Sequence, residues 1–276
     1  MKTSLENSQA FVKQILYALQ KRNQNNMVFA KGVTNSSTSS SVLFMLGSHC
    51  RGKRFSSTPC LILTKRSLQV KQPGDLCCPG GSISSGLDVY LSKLLWLWGS
   101  PLYRWPYWSL WRKKRYSEAR RLALLFATCL REGFEEIRLN PLGVTFLGPL
   151  PSQQLVMFRK VVFPMVCWVG RQKRFFPNRE VERVVYIPLH RLLNPSGYAR
   201  YRVHFDSSRK NGKDSNTKEY PCFVCEDQGE SEVLWGATFR ITMVFLETVF
   251  GFNPPDMDSV PVVQGFLGEN YLTGSI

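Results

Sequence analysis

Three glutamates stand at Glu132, Glu135 and Glu136 in the run Arg131-Glu132-Gly133-Phe134-Glu135-Glu136. Residues at i, i+3 and i+4 share one face of a helix, so a helix here stacks three like charges side by side. Their repulsion weakens the helix unless a cation sits among them, and carboxylate oxygens are hard donors suited to Mg²⁺ or Mn²⁺. An ion held that way neutralises a diphosphate and lowers the pKa of a bound water for attack at phosphorus. A solvated acidic face is the plainer reading of the same spacing, so a second element must decide. Upstream, Pro79-Gly80-Gly81-Ser82 follows a strand-like run, and a glycine turn lets bare backbone approach a metal or a phosphate. Lys65, Arg66 and Lys71 precede that turn. They offer charge to substrate phosphates, with plain surface charge as the alternative.

Other reactive residues form weaker patterns. Cys222 and Cys225, with Cys77 and Cys78, supply four thiolates for zinc only if the fold gathers them. Their setting in strand-like sequence favours core cysteines instead. His49, His190 and His204 are isolated and no nucleophile motif accompanies them, which argues against covalent catalysis. The basic run Arg112 to Arg115, with Arg120 and Arg121, suits nucleic acid or anionic lipid, or is simply solvated charge.

Around these residues the pattern predicts helices over 8–20, from Ser117 to about Leu139, and over 236–250. The second places Leu122, Phe126, Leu130 and Phe134 on one side. Strands are expected at 41–46, 60–64, 161–169, 181–187, 200–205 and 221–225, with polar connections at 35–41 and 207–218. Helices and strands mix without a regular βαβ alternation, which predicts a mixed sheet flanked by helices. Between 94 and 115 lie five of the seven tryptophans, with Pro101 and Pro106 to break any long helix.

The 276 residues leave ample chain for a core, and 43% are hydrophobic with a mean hydropathy of -0.17, which excludes wholesale disorder. No apolar run is long enough to span a membrane, and the first residues lack a signal-peptide core. Eight scattered cysteines in a chain of this size read as free thiols in a reducing compartment, so a cytoplasmic protein is expected. The net charge of +16 favours an anionic partner, whether a phosphorylated small molecule, nucleic acid or an anionic membrane.

The glycine turn and the carboxylate helix together resemble the box of the Nudix hydrolases, G-x5-E-x7-R-E-U-x-E-E-x-G-U, where U is a bulky aliphatic residue. Gly81 matches the leading glycine, Arg131-Glu132 and Glu135-Glu136 the R-E and E-E pairs, and Leu139 the closing aliphatic position. Three further stretches are similar to the coenzyme A diphosphatases of that family: 61–67 running into 74–81, Asn178 to Glu182 before 185–189, and Leu234-Trp235-Gly236-Ala237-Thr238. Gly81 and Arg131 stand 50 positions apart where the box has 14, which implies an insertion of 36 residues holding the tryptophan-rich stretch. The box's first glutamate has no clear counterpart: Leu87 and Ala123 fall at the counted positions, Asp88 is one step off and Glu118 five. Gly133 replaces the aliphatic residue after R-E, Arg138 the final glycine, and Cys78 a usual phenylalanine.

The resemblance implies an α/β/α Nudix sandwich with a mixed sheet, an N-terminal helix and polar connection (1–40), a hydrolase domain (41–255, insertion about 87–117) and a C-terminal tail (256–276). It implies a metal-dependent hydrolase cleaving a diphosphate linkage, with coenzyme A or an acyl-coenzyme A as the leading substrate and a homodimer as a possible state. By position, Glu132 and Glu136 become the metal ligands, Glu135 a supporting ligand, and the Gly81 carbonyl completes the shell. Arg131 orients a glutamate, and Lys65, Arg66 and Gly80 face substrate. Glu132, or a carboxylate such as Glu226 or Asp227, serves as base. The alternative is a weakened Nudix-fold module that contacts RNA or an anionic membrane through its basic, aromatic insertion, nucleic acid being the less favoured partner. The insertion is expected to form short helices broken at 99–101 and Pro106, packed over one edge of the site with 112–115 outward. An interfacial anchor is the competing idea.

Overall fold

A computed structural model describes residues 8–24, 28–29, 38–49, 58–155, 160–170, 172, 174–205, 217–268 and 271. Alternation along the first strand, β1 (Ser39–His49), explains the layering. Leu43 and Met45 point into one core, while Phe44 and Leu46 point into another, as the two-residue period of a strand requires. A sheet apolar on both faces must be covered on both.

Helix α1 (Ser8–Asn23) buries Phe11, Ile15 and Leu19 against one face, beside Phe245 and Leu246 of α6 (Gly236–Phe250). The opposite face takes α4 (Tyr116–Ile137) through Leu122, Phe126 and Leu130. Phe134, expected on the same stripe, is exposed. Steps of four residues drift about 40° on a helix, so Gly133 and Ile137 turn inward in its place. The remaining helices are α2 (Leu87–Leu94), α3 (Trp108–Lys114) and the short α5 (Leu189–Leu192). The result is the expected α/β/α arrangement about a mixed sheet.

The main sheet has eight strands. Along its central path, β3 (Leu76–Cys77), β2 (Thr58–Arg66), β1, β7 (Lys160–Trp168) and β5 (Thr145–Pro149) lie in that order. β6 (Gln153–Leu155) pairs with β7, and β8 (Val181–Pro188) with β2. β1 and β7 run parallel, and the other pairs are antiparallel. β1 and β2 pair only at one end. At the other end they splay, and β3 with β4 (Gly80–Ser82) wedges between them. β3 takes Thr64 and Lys65, while β4 takes Ser40 to Val42. The wedge sets Pro79 to Gly81 in an opening of the sheet, where the Leu43 N–H donates to the Pro79 carbonyl at 2.8 Å.

Serines 39–41, expected in a polar connection, instead open β1. Ladder pairing and a bond from the Ser41 hydroxyl to the Phe163 carbonyl satisfy their polar groups. A second sheet follows the order β11 (Glu230–Trp235), β10 (Thr217–Asp227), β9 (Tyr198–Phe205) and β12 (Val262–Leu267). β12 lies within the expected tail, where Val262, Val263 and Phe266 favour a strand. Most of the expected loop at 207–218 lies outside the described residues.

The tryptophan-rich stretch forms α2, turns from 95 to 107, and α3, as the glycine and prolines predict. Trp105, Trp108 and Trp111 are buried, and Trp105 stacks edge-on to Phe146 of β5 with centroids 5.1 Å apart. These rings pack into the core shared with α4, rather than over the carboxylate face as a cap. Arg112, Lys113 and Lys114 face outward, but Arg115 is half-buried, lies over Trp111 and pairs with Glu118 at 3.4 Å.

Candidate active site

Helix α4 crosses the wedge so that its last turns lie over Gly80 and Gly81. A Cβ on Gly81 would collide with the Glu132 carboxylate, and one on Gly80 with the Ser41 carbonyl. Both glycines are therefore demanded by close approach. Gly133 has a similar cause: a Cβ there would meet Leu43 at 2.9 Å and Leu139 at 3.0 Å. A bulky side chain has no room at this crossing.

Arg131 organises the face. Its Nε donates to Asp88 Oδ1 at 2.7 Å, Nη1 reaches Glu135 Oε2 at 3.1 Å, and Nη2 lies 2.9 Å from Glu132 Oε1. Nη2 also donates to the Ser82 carbonyl at 3.3 Å. The hydrogen bond to Asp88 is the largest influence holding the guanidinium's pKa above its ordinary value. Asp88 is fully buried in the first turn of α2, and its Oδ2 accepts from the Ser84 N–H at 2.7 Å and the Thr128 hydroxyl at 2.9 Å. The acid one step off the box spacing is thus Arg131's buried partner.

The three glutamates are not equivalent. Glu135 is half exposed and leans on Arg131. Glu132 is more enclosed, and burial raises its pKa despite the opposing effect of Arg131. Glu136 is shifted furthest. Burial, with Glu132 and Glu180 adding repulsion, pushes its carboxyl up to about 8, against the Gly80 N–H and Arg66, which lower it. Oε1 accepts from Gly80 N at 3.4 Å. Among the described residues no lysine or arginine lies within salt-bridge reach of Glu136, and no three His, Cys, Asp or Glu side chains converge as a ready-made metal cage. The donor chemistry nevertheless fits a hard divalent ion: a half-buried carboxylate lacking a cation partner, a second carboxylate beside it, and glycine backbone against both.

The separated stretches converge here. The Asn178 N–H donates to the Glu136 carbonyl at 2.8 Å and the Phe176 N–H to that of Ile137 at 3.0 Å, which brings Glu180 to the carboxylate face. Ser67 N–H donates to the Glu180 carbonyl at 2.9 Å. Trp235 Nε1 donates to Asp75 Oδ1 at 3.0 Å, tying 234–238 to the segment before the glycine turn. Asp75 is pushed up to about 6 by burial, against hydrogen bonds from Tyr271 and Trp235. Asp88, Thr128 and Glu180 were not legible as site residues. Asp88 offered near-register spacing and Glu180 its place within the 178–182 stretch, while Thr128 gave no signal.

Other expected residues lie apart. Lys65 pairs with Glu232, Glu230 and Glu182 at 2.9, 3.2 and 3.3 Å. Asp227 is buried on β10 and pairs with Arg183 at 2.6 Å, and Glu226 is exposed on the same strand. Arg66 bonds the Lys71 carbonyl at 2.6 Å and acts on both Glu136 and Asp75. Burial holds Cys77 at about 11 and Cys222 and Cys225 at about 12, so all three stay thiols at neutral pH.

No family model matches the sequence, and no curated protein matches it. Solved structures similar to the chain include the Nudix hydrolase RenU from M. smegmatis, at 10% identity and a TM-score of 0.35 over 56% of this chain and 73% of that one. The Ap4A hydrolase of C. elegans shares 11% identity, with a TM-score of 0.34 over 56% of this chain and 83% of that one. The Nudix domain of Shewanella oneidensis NrtR, complexed with ADP ribose, shares 14% identity, with a TM-score of 0.34 over 63% of this chain and 84% of that one.

Proposed function

We propose that the chain hydrolyses the diphosphate linkage of a nucleoside diphosphate derivative, with coenzyme A or an acyl-coenzyme A as substrate and Mg²⁺ or Mn²⁺ as the ion. Glu136 carries the reading: a carboxylate half-buried beside Glu132 and against Gly80, and lacking a basic partner within salt-bridge reach, is costly unless a cation is to come. Glu132 and Glu136, with the Gly81 carbonyl, would hold the ion, and Glu135 would support it. The ion supplies charge neutralisation of the diphosphate and a more acidic water.

The chain's own residues do the positioning. Asp88 fixes Arg131, and Arg131 fixes Glu132 and Glu135. Glu132 is the base in this reading. Asp227 is committed to Arg183, whereas Glu132 stands on the α4 face directly against Gly81. Arg66 and the Gly80 backbone face the substrate phosphates, while Lys65 is held among carboxylates. Water adds across the P–O–P bridge, one phosphorus gaining the hydroxyl and the other leaving as a phosphate. The coenzyme A assignment rests on the three resembling stretches and on the basic balance, which suits a 3′-phosphate. Free thiols at the seven described cysteines support a cytoplasmic setting.

Incubation with coenzyme A, ADP-ribose, NADH and dinucleoside polyphosphates tests this directly. The expected products are 3′,5′-ADP and 4′-phosphopantetheine, formed only with Mg²⁺ or Mn²⁺. Glu132→Gln and Glu136→Gln should each lower kcat/KM by about 10³-fold or more. Near-normal turnover in either variant overturns the site, and strong preference for ADP-ribose overturns the substrate alone.

A further inference from the structure

Most of the large hydrophobic side chains left exposed among the described residues lie between 87 and 116. On α2 the division is sharp. Asp88, Leu91 and Leu95 turn inward, towards Arg131 and the core beneath α4. Leu87, Tyr90 and Leu94 turn outward at i, i+3 and i+7, and the turn that follows adds Leu97 and Trp98, the latter 86% exposed. A helix that has already buried one apolar face has no structural need of the second. Exposing it forfeits about 25 cal/mol per Å² of apolar area.

The charge around this face has one sign. Lys93, Arg112, Lys113 and Lys114 are exposed, and Arg112 lies over the Trp96 ring at 5.8 Å, which sets the end of α3 directly beside the apolar edge. Asp88 and Glu118 are the acids between 87 and 121, and both are buried. Aliphatic and aromatic side chains rimmed by lysine and arginine, with no exposed acid between 87 and 121, are complementary to a headgroup layer of negative charge over hydrocarbon.

We propose that the outer face of α2, with Leu97, Trp98 and the basic end of α3, docks on an anionic phospholipid surface. The leucines and Trp98 enter the acyl boundary, while Lys93 and the 112–114 run meet lipid phosphates. A second copy of this chain is disfavoured, because a self-complementary contact would bring like-charged rims together. RNA is disfavoured because Leu87, Leu94 and Leu97 offer neither a stacking plane nor a hydrogen bond. This inference is independent of the hydrolase reading. Lipid binding without hydrolysis leaves it standing, and hydrolysis without lipid binding removes it.

The test is flotation of the full chain with vesicles of phosphatidylcholine alone or mixed with phosphatidylglycerol, beside a single-stranded RNA retention assay. The wild type should float with the mixed vesicles, remain behind with phosphatidylcholine alone, and lose binding as salt rises. The double changes Leu97→Ser/Trp98→Ser and Lys113→Glu/Lys114→Glu should each weaken association about tenfold or more. Because these side chains are exposed, their melting curves should match the wild type. Lipids brominated on the acyl chain should quench fluorescence in the wild type and much less in Trp98→Phe. Failure to float with anionic vesicles overturns the proposal, as does binding or quenching indifferent to these changes. RNA retention lost in the same variants, without vesicle binding, assigns the surface to nucleic acid and also overturns it.

Discussion

Two acid-rich clusters lie on this molecule, and they are built to opposite rules. In one, Lys65 and Arg183 sit among Glu182, Asp227, Glu230 and Glu232, and each of these acids has a cationic nitrogen within 3.3 Å. Burial is the largest single influence on Lys65 and Arg183 and works against their charges, but hydrogen bonds and charge attraction from the surrounding acids, Glu232 first for Lys65 and Asp227 first for Arg183, together outweigh it and raise both pKa values. Glu230 moves down for the same reason. In the other cluster, Arg131 serves Asp88, Glu132 and Glu135, yet Glu136 is half-buried without a cationic partner and moves up. A matched cluster links the two sheets. An unmatched one stores a demand for positive charge. Counting acids does not separate them; asking which carboxylate lacks its cation does.

Breaking the matched cluster should give the largest effect on stability. Arg183→Met leaves Asp227 and Glu232, both nearly inaccessible, without their guanidinium. The expected loss is about 3 kcal/mol in urea unfolding. Turnover by the folded fraction should be unchanged, because Arg183 touches none of the residues on the α4 face. A melting midpoint within error of the wild type would show that the cluster is solvated rather than structural.

Legibility in the sequence followed the range of the physics involved. Helix and strand periodicity located α1, α4, α6 and the central strands, because each is fixed by apolar spacing within one segment. The i, i+3, i+4 carboxylates and the glycine turn were legible for the same reason. The pairing of Arg131 with Asp88 was not, since α2 reaches α4 across 43 positions and one extra residue spoils the count. The fate of Lys65 was hidden too: its partners come from β8 and β11, far away in the chain. β12 is short and lies at an edge, where strand-favouring residues are few and parallel pairing with β9 completes what they begin. The tryptophans predicted burial as a group. Only the packing separates Trp105, Trp108 and Trp111 from Trp98.

The unmatched cluster should reveal itself through pH in metal-free protein. Glu136 has its folded pKa raised to about 8, above the ordinary glutamate value. Between those values the folded chain binds a proton that the unfolded chain has released. Stability is therefore highest below the unfolded value and is lost as pH rises towards about 8. With solvent screening allowed for, the loss in EDTA is on the order of 2 kcal/mol. Glu136→Gln should flatten this slope, and Mg²⁺ should restore the wild type at alkaline pH but not the variant. Glu230, whose pKa is lowered, contributes in the opposite sense and loses its share as pH falls. A metal-free profile that rises between pH 5 and 8 would mean that Glu136 is already paired.

The smallest effect sharpens the end of the same helix. Arg138 closes α4 in the left-handed region, with φ of 55° and ψ of 39°, and its N–H reaches the Phe134 carbonyl. This is the backbone that glycine supplies at a helix C-terminus, and a side-chain-bearing residue adopts it at a cost of about 1 kcal/mol. Arginine recovers part of that cost by lying over the Phe134 ring at 5.2 Å and by placing positive charge at the negative end of the helix. Arg138→Gly relieves the backbone and gives up both contacts, so the net gain should be about 0.5 kcal/mol. Arg138→Ala keeps the strained backbone and loses the contacts, so it should fall below the wild type. If glycine proved worse than alanine, the turn would be held by the arginine side chain and not by the backbone geometry that ends α4 just beyond Glu136.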